Sequence, residues 1–142
     1  MQTILRNLFT ALVVCGLMFF GCQGHGHDDH GVHPAEVEPI AGSDLSKITL
    51  TERAMQRLDV KTDEVREQAG KKTVPYASLI YDPQGQTWVY TSPQARTFVR
   101  AKVDVDEIRG DTAYLKDGPP AGTVVATVAV AEIYGTEFEV GH

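Results

Sequence analysis

Hydrophobic and polar positions divide the 142-residue chain into three stretches. An apolar run covers residues 8–20. From 23 to 42 large apolar side chains are few, while glycine, proline and histidine prevail. From Asp44 onward the pattern turns to period two, the signature of half-buried strands. Residues 73–81 read as a strand, and Pro75, which brings no N–H, places it at an edge, a start or a bulge. Asp82-Pro83-Gln84-Gly85 supplies a turn and residues 86–91 a second strand, so the pair predicts a hairpin. Residues 97–105 set Phe98, Arg100, Lys102 and Asp104 against Val99, Ala101, Val103 and Val105, with Val99, Val103 and Val105 expected inward. Residues 112–115 and 124–128 are two more strands, joined by a loop at 116–122 rich in proline and glycine. One helix is expected after Thr51, which can cap it; Glu52 suits its dipole, and Ala54, Met55 and Leu58 give it an apolar face. Residues 128–134 either extend the last strand or turn helical, and Gly135 is expected to end them in both cases. The fold class expected is mainly β: a small β-barrel or rolled sheet with one short helix.

The apolar run at 8–20 changes the picture of where the chain works. It follows Arg6, falls short of the roughly 20 residues of a bilayer span, and is closed by Gly21 and Cys22, the layout of a removed export signal. Phe19-Phe20-Gly21-Cys22 resembles the lipobox of bacterial lipoproteins, with Phe19 where leucine is usual; an ordinary secretory signal or an uncleaved anchor is the alternative. The resemblance implies a chain that begins at Cys22, carries acyl chains there, and is held on a membrane facing the periplasm of the bacterial cell envelope. Gln23 is not the aspartate that commonly signals inner-membrane retention in that family, so the outer membrane is favoured. Such a chain keeps 121 residues, enough for one small domain, and with Arg6 gone its net charge moves from −6 to −7. An acidic chain with no basic run has no footprint for nucleic acid. Cys15 departs with the signal and Cys22 is modified, which leaves no thiol for disulfides, thiolate metal sites or nucleophilic catalysis. The expected organisation is a signal peptide at 1–21, a flexible, disordered tether at 22–43 that cannot bury enough surface to offset chain entropy, and a β domain at 44–142.

Within that domain, Ile48-Thr49-Leu50-Thr51-Glu52 leading to Leu58-Asp59-Val60-Lys61-Thr62 and Val65 resembles the opening segment of the periplasmic adaptor subunits (membrane fusion proteins) of RND efflux pumps. Val74-Pro75-Tyr76, Trp88-Val89-Tyr90, Phe98-Val99-Arg100-Ala101-Lys102-Val103 and the stretch from Gly118 to Val125 resemble the closing segment of the same family. The likeness covers roughly residues 46–130. In the family a barrel, a lipoyl-like domain and a helical hairpin separate the two segments; here only Arg66-Glu67-Gln68-Ala69-Gly70 intervenes. The resemblance therefore implies the membrane-proximal domain alone, without the hairpin that reaches an outer-membrane channel. It implies a non-enzymatic accessory role in RND-type, heavy-metal efflux with pump or adaptor subunits as partners; the alternatives are a free-standing periplasmic metal scavenger or chaperone and a structural envelope lipoprotein.

Ligand chemistry is concentrated in the tether. His25, His27, His30 and His33, with Asp28 and Asp29 among them, combine imidazoles that suit zinc, copper, nickel or cobalt with carboxylates that add oxygen ligands. A flexible segment pays ordering entropy to wrap a metal, so weak, exchangeable and poorly selective binding is expected, with no cofactor required. The alternative is a hydrophilic spacer. Elsewhere, Asp104, Asp106, Glu107 and Asp111 read as a solvated charged turn, and Ser78 and Ser92 have no histidine near in sequence. Trp88, Tyr90 and Phe98 read as packing, and His142 as a chain end. No activated nucleophile is visible, so an enzyme is the last reading.

Overall fold

The computed structural model describes residues 33–139, and it is mainly β. Six antiparallel stretches form a nearly closed barrel. One is the segment in which β3 (Thr62–Glu64) runs through Val65 into β4 (Arg66–Gln68); the others are β5 (Lys71–Pro75), β7 (Thr87–Gln94), β8 (Thr97–Arg109), β9 (Thr112–Asp117) and β10 (Val124–Ala126). Around the ring β4 pairs with β5, β5 with β9, β9 with β8, β8 with β7, β7 with β10, and β10 with β3. The join is held at Val65, whose N–H donates to Thr123 O and whose carbonyl accepts from Gly122 N–H, each at 2.8 Å. Bulges at Asp104/Val105 and Val105/Glu107 let β8 leave β7 and continue along β9, as extra residues bend and twist a strand.

Period-two alternation gives β7 and β10 two buried faces. Val89 and Val125 point inward with Val65, Val74, Val103, Ala113 and Leu115, and these fill the barrel. Tyr90 and Ala126, one residue further along, face outward with Phe98 into a second core. That core is covered by the hairpin of β1 (Ala35–Pro39) and β2 (Ser46–Leu50), by α1 (Glu52–Arg57) and by α2 (Val130–Glu139). Hence β2 lies along the start of β8, pairing Ile48 with Phe98. The expected cap on α1 is present: Thr51 Oγ1 accepts from Ala54 N–H at 3.1 Å. Gly118 seals one side of the barrel, since a Cβ there would meet Leu115 and Val103 at 3.1 Å.

Four expectations are corrected. The ordered sheet starts at Ala35, ahead of the domain boundary expected at Asp44, because Glu36 and Glu38 alternate with Ala35 and Val37 and the short strand draws its hydrogen bonds from β2. The strand expected at 73–81 is broken after Pro75 by a 3₁₀ turn at Tyr76–Ser78, and only Ile80–Tyr81 (β6) resumes. Ser78 Oγ donates to Pro75 O at 2.6 Å, a local bond that competes with the ladder. Residues 130–139 are helical, a second helix, and α2 runs through Gly135 instead of ending there. Phe98 and Arg100, expected outward, are 1% and 7% exposed, because the first half of β8 is covered on both faces.

Candidate functional site

Of the residues expected to carry ligand chemistry, His33 is described: it is exposed and stands just ahead of β1. Cys22, His25, His27, Asp28, Asp29 and His30 lie outside the described residues. Among the described residues no group of three or more His, Cys, Asp or Glu side chains is placed to hold a metal ion. Two of the acidic residues of β8, Asp106 and Glu107, are matched by neighbouring cations. Lys71 Nζ meets Asp106 Oδ2 at 2.5 Å, Lys116 lies 3.8 Å from the other oxygen, and Arg109 bonds Glu107 at 2.8 Å. The hydrogen bond and charge of Asp106 hold the Lys71 ammonium above its ordinary pKa, and the same bond holds Asp106 below the usual carboxylate range. Such exposed pairs are a charged surface and add little to stability.

The polar group that sequence reasoning missed is buried beneath α2. Tyr90 and Arg100 are direct cross-strand partners on β7 and β8, so both side chains leave the same face of the sheet. Glu137 comes down onto them from α2. Tyr90 Oη donates to Glu137 Oε2 at 2.5 Å, and Arg100 Nε lies 3.2 Å from the same oxygen without the alignment of a hydrogen bond. The two charged side chains are 7% and 2% exposed. Among the described residues, Glu137 Oε1 and Arg100 Nε have no hydrogen-bond partner. The guanidinium also donates to Asp44 O at 3.4 Å. It stacks 4.3 Å from the Trp88 ring and 5.2 Å from that of Phe138.

A turn residue fixes this stack. Asp82 Oδ1 accepts from the backbone N–H of Gln84 (3.0 Å) and Gln86 (2.8 Å), and its Oδ2 accepts from Trp88 Nε1 at 2.9 Å. Desolvation opposes the Asp82 charge, but these three donors outweigh it and hold the carboxyl below its ordinary pKa. The line of contact thus runs from the β6–β7 turn through Trp88 and Arg100 to Glu137 on the last helix. Burial, and then the bond to the Glu137 carboxylate, push the Tyr90 phenol far above its ordinary value, so it stays a donor. With a permanent guanidinium and a phenol that donates to the carboxylate, the cluster ties α2 to β7 and β8.

Two open clefts lie elsewhere. One of about 370 Å³ is lined by β3, β4 and β5 with Asp111, and one of about 560 Å³ by Lys71, Lys72, Asp106 and Lys116. Neither includes Arg100 or Glu137. No protein-family model, curated protein or solved structure matches the chain.

Proposed function

We propose that this chain is a non-enzymatic lipoprotein of the bacterial cell envelope that serves an RND-type, heavy-metal efflux system. Its β domain docks on a pump or adaptor subunit, while the histidine-rich segment ahead of it gathers divalent transition metals for export. One observation carries the reading. Residues 47–49 pair with β8, and residues 62–65 pair with β10 and the loop before it, so the opening segment is bonded to strands of the closing one and its last residues complete the barrel. Their junction at 66–70 runs into an exposed hairpin tip, where Ala69 and Gly70 both take positive φ. A hairpin tip of this kind is where a long insertion can be gained or lost without disturbing the core.

The direct test is capture of envelope proteins with the tagged, full-length lipoprotein. Enrichment of an RND pump or adaptor subunit is expected, and recovery no greater than with an unrelated lipoprotein would refute docking. A second reading is a free-standing metal scavenger, favoured by four histidines spaced through residues 25–33 with Asp28 and Asp29 among them. Replacing His25, His27, His30 and His33 by Ala separates the two. Scavenging requires loss of both zinc or copper uptake and cellular metal tolerance, whereas pump capture should survive the change.

A further inference from the structure

We propose that α2 is a lid: it opens as a unit from the outer face of the sheet while the barrel stays closed. Three observations converge. First, α2 contributes nothing to the barrel interior, whose members all come from strands or from Val65, so the helix can leave without emptying that core. Second, its attachment is mixed. Val130 and Ile133 pack on Tyr90, Phe98 and Leu50, but its last turn is held by a buried ion pair in which one carboxylate oxygen and one guanidinium nitrogen have no hydrogen-bond partner among the described residues. A buried pair of this quality scarcely offsets the cost of taking both charges out of water.

Third, the chain just before α2 has the marks of a hinge. Val128 N–H reaches Lys61 O at 3.4 Å, and one residue earlier Thr127 N–H donates to the same oxygen at 2.8 Å and pins the end of β10. Two residues later Ala129 is in the left-handed region at φ +64, where a side chain is strained. Alanine also brings no oxygen to cap the helix that follows. The pinned residues, the strained residue and the uncapped helix start follow one another along the chain, so rotation at Ala129 frees α2 and relieves strain together. Opening bares an apolar face made by Tyr90 and Phe98, with one guanidinium still stacked on Trp88.

Hydrogen exchange on the full chain, resolved by peptide, tests this. In the wild type the amides of α2 should exchange at least about tenfold faster than those of β9, as a separately opening unit does. Glu137→Gln should speed α2 further by on the order of a hundredfold and leave β9 unchanged. Glu137→Asp, a milder change that keeps the charge, should act in the same direction on α2 alone. One rate shared by α2 and β9 in the wild type would overturn the proposal, as would either variant accelerating both elements equally.

Discussion

The two sides of the β7–β8–β10 sheet are built on different principles. The buried centre of the barrel interior is apolar, made of five valines, Ala113 and Leu115, with Lys72 and Thr91 on the same face at its margins. The outer core has larger side chains, Tyr90, Phe98, Ile48 and Ile133, and its rim carries a buried acid, a buried base and a phenol. Burial of each interior valine or leucine side chain contributes about 1.5–3 kcal/mol without any demand on direction. The outer cluster gains only when its charges meet at the right angle, and here they meet imperfectly. The interior therefore fixes the fold, and the outer face is the part of the molecule that can be adjusted without losing it.

The sharpest way to break the contrast is from the inside. Leu115→Ala should cost about 3 kcal/mol of global stability, read as a shift of the urea midpoint, because the barrel has no slack to fill the cavity. Removing charge from outside should act in the opposite direction. Arg100→Met combined with Glu137→Leu should leave the chain folded and stabilise the docking of α2 by about 2 kcal/mol, measured by hydrogen exchange. A smaller effect is expected at the phenol. Tyr90→Phe removes the donor to Glu137 and should cost about 1.5 kcal/mol in the same measurement.

The phenol also sets a pH dependence. Its native pKa is raised above the ordinary 10.0, so above that pH the folded chain holds a proton that the unfolded chain has lost. Its contribution is complete below pH 10 and declines as pH rises, and Tyr90→Phe should flatten that decline in urea titrations from pH 9 to 12. The smallest change sits at the edge of the outer layer. Thr51→Ala should cost about 1 kcal/mol by uncapping α1, with no effect on exchange in β9.

Features set by local chemistry were legible in the sequence. The Asp82–Gly85 turn, the Thr51 cap, the hairpin that follows and the inward Val103 each depend on residues within a few positions of one another. Long-range features were not legible. Alternation along β8 separates two faces but cannot reveal that both are covered, so Phe98 and Arg100 read as exposed. The signal available was an aromatic residue two positions from an arginine on the supposed polar face. Strand β1 has too little apolar content to announce itself and exists through pairing with β2. At 128–134 apolar side chains suit strand and helix equally, and the choice falls to the outer core, which takes Val130 and Ile133 from a helix. The histidine cluster stands in sequence alone beyond His33, outside the described residues.

The geometry of β1 has a mechanical consequence. The chain enters the domain at Ala35, opposite Leu50, and turns back through residues 40–45 to form β2. Tension applied ahead of His33 therefore loads the free end of a hairpin and peels its hydrogen bonds one pair at a time, while β2 stays bonded to β8. Unzipping residues 35–45 would release about 35 Å of extended chain, since such chain reaches about 3.3 Å per residue. The hairpin would thus give way one pair at a time while the ladders of the barrel itself stay closed.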